Sequence, residues 1–173
     1  QASADRAVEL VREGKAEDWC DTIAAQAEKW RGQFNLVGAA VTGIINDGKW
    51  SALNPGTLAV PDDFPLEQEL SRRLGTSVHC FNDAQAAAWG EYRLGAGQGA
   101  DLVFLTISTG IGGGFVQGGR IVHGRSGLAG SAGNMRSRLD GKLVRVEDIA
   151  SGLAIAKAAR ALGHQADAKA VFA

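Results

Sequence analysis

In AEDWCDTIAAQAEKW the apolar positions fall at Trp19, Ile23, Ala24 and Ala27, with Trp30 closing the stripe, and this three- and four-residue spacing predicts an amphipathic helix. The pattern then changes. Residues 35–45, NLVGAAVTGII, form a near-continuous apolar run ending around Thr-Gly, which predicts a strand buried on both faces in a parallel or mixed sheet. NDGKWSAL supplies an Asn-Asp-Gly turn and a return strand. NPGTLAVPDDFP, residues 54–65, holds all three prolines and reads as loop. LEQELSRRLG is a short amphipathic helix with Gly75 as its stop, and SVHCF a short strand. Asn82 followed by Gln85 has the form of a capping box, opening an alanine-rich helix that ends at Gly95, Gly97 and Gly99. DLVFLTIS predicts a second strand buried on both faces, and GFVQGGRIVHG a hairpin around Gly118-Gly119. Residues 124–142 read as a Gly/Ser/Arg-rich loop, and VEDIASGLAIAKAARALG as a helix with a weak point at Ser-Gly. Strands alternate with helices and one hairpin is inserted, so the class is α/β. A seam near residues 97–101 predicts a first part, 1–97, and a second, 98–173.

Composition narrows the classes further. Eighteen basic and nineteen acidic residues leave a formal charge of −1, which gives no electrostatic ground for a nucleic-acid or membrane partner. No apolar run approaches the ~20 residues needed to span a bilayer. Cys20 and Cys80 are isolated, with neither CxxC spacing nor a neighbouring histidine, and are expected as buried free thiols. A soluble, cytoplasmic protein is expected. The chain opens on QASADRAVEL and closes on ADAKAVFA inside an apparent helix, so both ends read as cut and a longer protein is expected.

The candidate chemistry centres on LTISTGIGGGFVQGG, residues 105–119. A Walker loop would need GxxxxGK[ST] opening a helix, and a dinucleotide fingerprint GxGxxG opening a helix; here there is no lysine and a strand follows. Two readings remain: an ordinary Gly-rich hairpin, or a tight turn between strands whose backbone N–H groups meet an anion, with Ser108 and Thr109 adding hydroxyls. Asn82-Asp83 stands at a strand end and a helix start. Asp83 either accepts N–H bonds in the first turn of that helix, or acts as a general base kept ionised by them. A carboxylate at one strand end and an anion-binding turn at another fit phosphoryl transfer, with Mg²⁺ shielding the phosphates.

NDAQAAAWGEYRLGAG followed by LVFLTISTGIGGGFVQGGRIVHGRSGLAG resembles the ROK family of sugar kinases and repressors, over residues 35–172. NP…FPLEQEL and VEDIASGLAIAKAARALGHQADAKAVF are most similar, within that family, to the bacterial N-acetylmannosamine kinases of sialic acid breakdown. The resemblance implies the actin-like ATPase fold in two lobes, with the sugar site and catalytic Asp in 1–97 and the phosphate turn in 98–173. It implies ATP-dependent phosphorylation of the C6 hydroxyl of an N-acetylhexosamine, with N-acetylmannosamine the first expectation. The alternative is a sugar-responsive repressor or a sugar-binding protein without turnover.

By the same resemblance, Asp83 is the catalytic base and Asn82 a sugar-hydroxyl ligand. Ser108, Thr109, Gly110, Gly112, Gly113 and Gly114 form the phosphate loop. Thr42, Gly43 and Asn54 line the sugar pocket, and Glu147 meets the sugar's hydroxyls. The family reads G-x-A-G-E-x-G-H where this chain has GLAGSAGN, so Ser131 and Asn134 stand in for a glutamate and a histidine. The Cys-rich zinc segment is replaced by MRSRLDGKLVR, and no structural zinc is expected. The family's DxGxT strand-turn should precede residue 1 and its C-terminal section should follow residue 173. A homodimer is also implied.

Overall fold

The computed structural model describes residues 15–53, 60–164 and 168–171; Asn54 lies outside them. The chain divides into two compact units, Gln1–Asn82 and Asp83–Ala173.

In the first unit, α1 (Ala16–Ala27) runs into a single 3-10 turn, Glu28–Trp30. Its acidic residues Glu17 and Asp18 sit at the positive end of the helix dipole, and Asp18 Oδ2 takes the Lys15 N–H at 2.7 Å. β1 (Leu36–Val41) pairs in parallel with β4 (Ser77–Asn82), from Leu36 opposite Ser77 to Val41 opposite Asn82. Between them, β2 (Ile44–Asn46) and β3 (Lys49–Ser51) form a hairpin. Its turn places Asp47 and Gly48 at φ 49° and 72°, the two left-handed residues a type I′ connection needs. α2 (Leu66–Leu74) buries Leu66, Leu70 and Leu74 on one stripe and stops at Gly75, whose N–H bonds Ser71 O and whose left-handed φ of 69° turns the chain out of the helix. Those leucines close a core with Ala16, Cys20, Ile45, Trp50, Phe64, Val78 and Cys80. Arg73 ties the two helices together, pairing with Asp21 of α1 at 2.6 Å and with Glu69 one turn away.

β1 was expected to be covered on both faces, and it is not. Val37, Ala39 and Val41 pack on the core while Leu36 on the other face is 57% exposed. The helices of this unit cover one side of a two-stranded sheet, so burial alternates with the strand period.

Cys20 and Cys80 are free and buried, as expected. Desolvation is the main reason both thiols are pushed up, Cys80 to about 12 with a further contribution from the Glu67 carboxylate. Thiolate is the reactive form. At pH 8 neither cysteine should react with an aromatic disulfide reagent in the native protein, and both should react at once in denaturant. Fast native reaction would show that this core opens readily.

The second unit begins with α3 (Asp83–Leu94), which packs on an antiparallel sheet of β5 (Leu102–Ile107), β6 (Ile111–Gln117) and β7 (Arg120–Ile121). Gly118 and Gly119, at φ 55° and 73°, turn β6 into β7 as the sequence predicts. A 3-10 turn at Ala132–Asn134 leads to a hairpin of β8 (Arg136–Leu139) and β9 (Lys142–Arg145). Then come α4 (Glu147–Ala150), α5 (Gly152–Ala161) and a last turn, α6 (Ala168–Val171). The break between α4 and α5 falls at Ser151, the predicted weak point, and the Ser151 hydroxyl caps α5 by accepting the Ala154 N–H at 3.2 Å.

Three expectations change here. Residues 124–142 are not loop throughout, because Asp140-Gly141 makes the same left-handed pair (φ 49° and 77°) that closes the first hairpin. β5 is covered on one face only: Val103, Leu105 and Ile107 are 65, 56 and 65% exposed, since α3 lies on the opposite side. The chain divides after Asn82 rather than near 97–101, because α3 packs on β5 and β6 and so belongs with the strands that follow it.

Candidate active site

Within the first unit, the parallel strands β1 and β4 end side by side on Val41 and Asn82. The chain leaves β1 through a bend at Thr42-Gly43, with Gly43 at φ 102°. Two side chains hold this bend by its carbonyls. The buried Trp50 indole N–H donates to Thr42 O at 2.7 Å, and Asn82 Nδ2 donates to Gly43 O at 2.9 Å. Thr42, Gly43 and Asn82 are thus brought together at the carboxyl ends of parallel strands, the usual place for a ligand on an open α/β sheet.

Within the second unit, Asp83 is exposed and opens α3, its Oδ1 accepting the Ala84 N–H at 2.8 Å. The side chain of Gln85, expected in a capping box, reaches well beyond the start of its helix. Its amide is drawn into residues 123–129, donating to Gly127 O and Ala129 O at 3.2 and 3.1 Å and facing His123 Nδ1 at 3.1 Å.

The turn between β5 and β6 is residues 108–110. Ser108 N–H closes it by donating to Gly110 O at 2.9 Å. The first amides of α5 then hold the turn from outside: Gly152 N–H donates to Ser108 O at 2.8 Å and Leu153 N–H to Thr109 O at 3.3 Å. A trans peptide is planar, with its C=O and N–H pointing oppositely. Both carbonyls therefore face α5, and the N–H groups of Thr109 and Gly110 are aimed away from it. Neither amide has a partner among the described residues. The next amide, Ile111 N–H, is taken by Glu147 Oε2 at 2.9 Å.

Gly112, Gly113 and Gly114 lie in the β6 ladder opposite Thr106, Leu105 and Phe104, not in the turn. Their missing side chains make room for protein. A Cβ on Gly112 would stand 3.2 Å from Ala84 Cβ, one on Gly113 2.7 Å from Gly130 O, and one on Gly114 2.7 Å from Ala88 Cβ. The missing side chains of the three glycines seat α3 and the 124–130 loop, and Ser108–Gly110 form the turn itself.

Ser131 is half-buried and begins the 3-10 turn that ends on the exposed Asn134. The middle of that turn is pressed against the head of β6, where a Cβ on Gly133 would stand 2.5 Å from Ile111 O and 3.0 Å from Glu147 Oε2. Ala84, the neighbour of Asp83, touches the same strand at Gly112. The second unit thus gathers Asp83, Ser108–Gly110, Ser131–Asn134 and Glu147 around the start of β6. Sequence reasoning missed the holding residues. The form of a capping box says nothing of the longer reach of Gln85, and nothing in the pattern points to Trp50 or His123.

Residues 4–173 match the ROK family, a longer stretch than the motifs alone carry. The bifunctional enzyme NanE/NanK of Brucella melitensis is 50% identical over 91% of this chain and 30% of that protein. The N-acetylmannosamine kinase of Shigella boydii is 42% identical over 88% of this chain and 54% of that protein. Among solved structures, the ROK hexokinase from Thermus thermophilus superposes with a TM-score of 0.76 at 30% identity, covering 95% of this chain and 58% of that one. The ROK family glucokinase from Streptomyces griseus, in complex with glucose and AMPPNP, gives 0.71 at 34% identity over 88% and 51%. The chain spans about half or less of the curated relatives it matches. Its α/β architecture is that of the actin-like ATPases, and the chain belongs to the ROK family.

Proposed function

We propose that this chain is the part of a sugar kinase that carries the catalytic base and a phosphate-binding turn, and that the protein phosphorylates the C6 hydroxyl of an N-acetylhexosamine, N-acetylmannosamine first, in amino sugar breakdown. One observation carries the reading most: two adjacent turn amides, Thr109 and Gly110, are turned outward by the docking of α5 onto their carbonyls. Convergent backbone N–H groups at a glycine suit a phosphate oxygen, and no lysine is needed beside them.

In this reading Asp83 takes the proton of the C6 hydroxyl as that oxygen bonds to the γ-phosphorus. The bond from phosphorus to the bridging oxygen breaks, and ADP leaves. Ser108 Oγ, Thr109 Oγ1 and the Thr109 and Gly110 N–H groups hold phosphate oxygens in place. Mg²⁺, when bound, shields the phosphate charge. Asn82 and the Thr42-Gly43 bend are assigned to sugar hydroxyls, as are Ser131, Asn134 and the second carboxylate oxygen of Glu147. Asn54 belongs to the same proposal by resemblance alone. No helix among the described residues is long and apolar enough to cross a membrane. The cytoplasmic setting and the homodimer are likewise proposed from the resemblance.

The test is an ADP-release assay on the intact protein with Mg·ATP, offering N-acetylmannosamine, N-acetylglucosamine and glucose in turn, with the product located by NMR. The expected result is phosphorylation at C6 and kcat/KM for N-acetylmannosamine about tenfold or more above glucose. Sugar binding without ADP release would overturn it.

A further inference from the structure

The second unit contains a buried polar group that the reaction does not use. Gln85 is 2% exposed, two residues along α3 from Asp83, and its side chain bonds to three residues of one short stretch of chain. Nε2 donates to the carbonyls of Gly127 and Ala129, and Oε1 lies 3.1 Å from His123 Nδ1. Two carbonyls on one side fix which end of the amide is nitrogen, since an oxygen there would face two acceptors. Oε1 must then face His123, and its Nδ1 must carry a hydrogen to make that bond.

The stretch so held is the lead into Ser131–Asn134. It is closed on itself by Ala129 N–H donating to His123 O at 3.1 Å. It is pinned at its far end by Gly130, whose missing Cβ would stand 2.6 Å from Gly113 O. Gly124, Gly127 and Gly130 all have left-handed φ (70°, 74° and 89°), so this path is defined residue by residue. The loop cannot shift along β6 without breaking the amide's bonds to the Gly127 and Ala129 carbonyls, which is costly for a buried donor.

We infer that Gln85, with His123, is a positioning residue that fixes the Ser131–Asn134 segment relative to Asp83 through the 123–130 loop. In effect the helix that carries the base also sets where one wall of the sugar site stands. The inference rests on the proposed kinase reading for what that wall binds, and on geometry alone for the clamp.

Gln85→Leu keeps the volume and removes every donor and acceptor. In the intact protein, KM for the sugar should rise about tenfold while KM for ATP stays within about twofold. His123→Phe should move the same parameter in the same direction by less, and His123→Asn, which restores a donor toward Oε1, should recover much of it. Amide hydrogen exchange supplies the readout independent of turnover. In Gln85→Leu, peptides spanning 124–134 should lose protection while β5 and β6 keep theirs. If the unaltered protein phosphorylates no sugar but this local loss is seen, the kinase reading fails and the clamp stands. If both KM values move together, or protection falls evenly across the unit, Gln85 is an ordinary core group and the inference is overturned. His123→Phe and its rescue decide the matter should Gln85→Leu fail to fold.

Discussion

Asp83→Asn in the intact protein should lower kcat by about 10³-fold, within the range a positioned general base contributes, and leave sugar affinity within a few-fold. The two roles open to Asp83 make this substitution the informative one. Its Oδ1 accepts the Ala84 N–H at the start of α3, and an amide oxygen can accept the same bond. Asparagine is as good as aspartate at helix starts apart from a dipole contribution of roughly 0.3–1 kcal/mol. A helix-starting role therefore survives the change nearly intact, whereas proton abstraction does not, because an amide oxygen is not a useful base at neutral pH. The measurement is kcat with both substrates saturating, alongside a thermal melt and sugar calorimetry. Turnover within tenfold of the unaltered protein would reduce Asp83 to a helix-starting residue. A large loss of sugar affinity with kcat retained would move it from the base to the binding groups.

How much of this was legible beforehand depends on whether the determinant is local. Helices α1 and α2, the Asp47-Gly48 and Gly118-Gly119 turns and the Ser151 break are set by spacing, left-handed positions and capping over a few residues, and each is where the pattern put it. Burial of β1 and β5 is decided by what covers each face, and an apolar run says nothing about which face is covered. The Asp140-Gly141 hairpin was readable by the same rule as the other two, and was lost among the arginines and glycines around it. The site divides likewise. Asp83 and the Ser108–Gly110 turn stand at element ends, as their residue types and spacing predict. The residues that aim them were not. The direction of the Thr109 and Gly110 amides depends on α5 reaching back about forty residues to two carbonyls, and Gln85 is held by a segment a similar distance downstream. Neither long-range bond leaves a trace in local periodicity. The glycine run shows the limit most clearly. Its glycines suggest room for an anion, and at Gly112 and Gly114 the missing side chains also make room for a helix.

That reversal gives the second large effect. Gly114→Ala should destabilise the second unit by about 3 kcal/mol, the upper part of the usual range for overpacking. An alanine methyl at this position would meet Ala88 Cβ at 2.7 Å, Gln85 Cα at 2.9 Å and Ala84 O at 3.0 Å. Two of the three are backbone atoms, so no rotamer change relieves the contact; α3 as a whole must move off β6. The position has an ordinary strand φ, so the cost is steric and not a left-handed strain. Gly38→Ala makes the control. It sits in β1 with nothing within 4 Å of the added methyl, and should shift stability by less than about 0.5 kcal/mol. Activity tells more than the melt does. Lifting the first turns of α3 displaces Asp83 and the Gln85 clamp together, so kcat and sugar KM should both worsen in Gly114→Ala at temperatures where the protein remains folded. If the glycines of β6 instead served the phosphates directly, the change would fall on the KM for ATP with stability and sugar KM preserved. That pattern would return Gly112–114 to the ligand and require α3 to be held by something other than the strand beneath it.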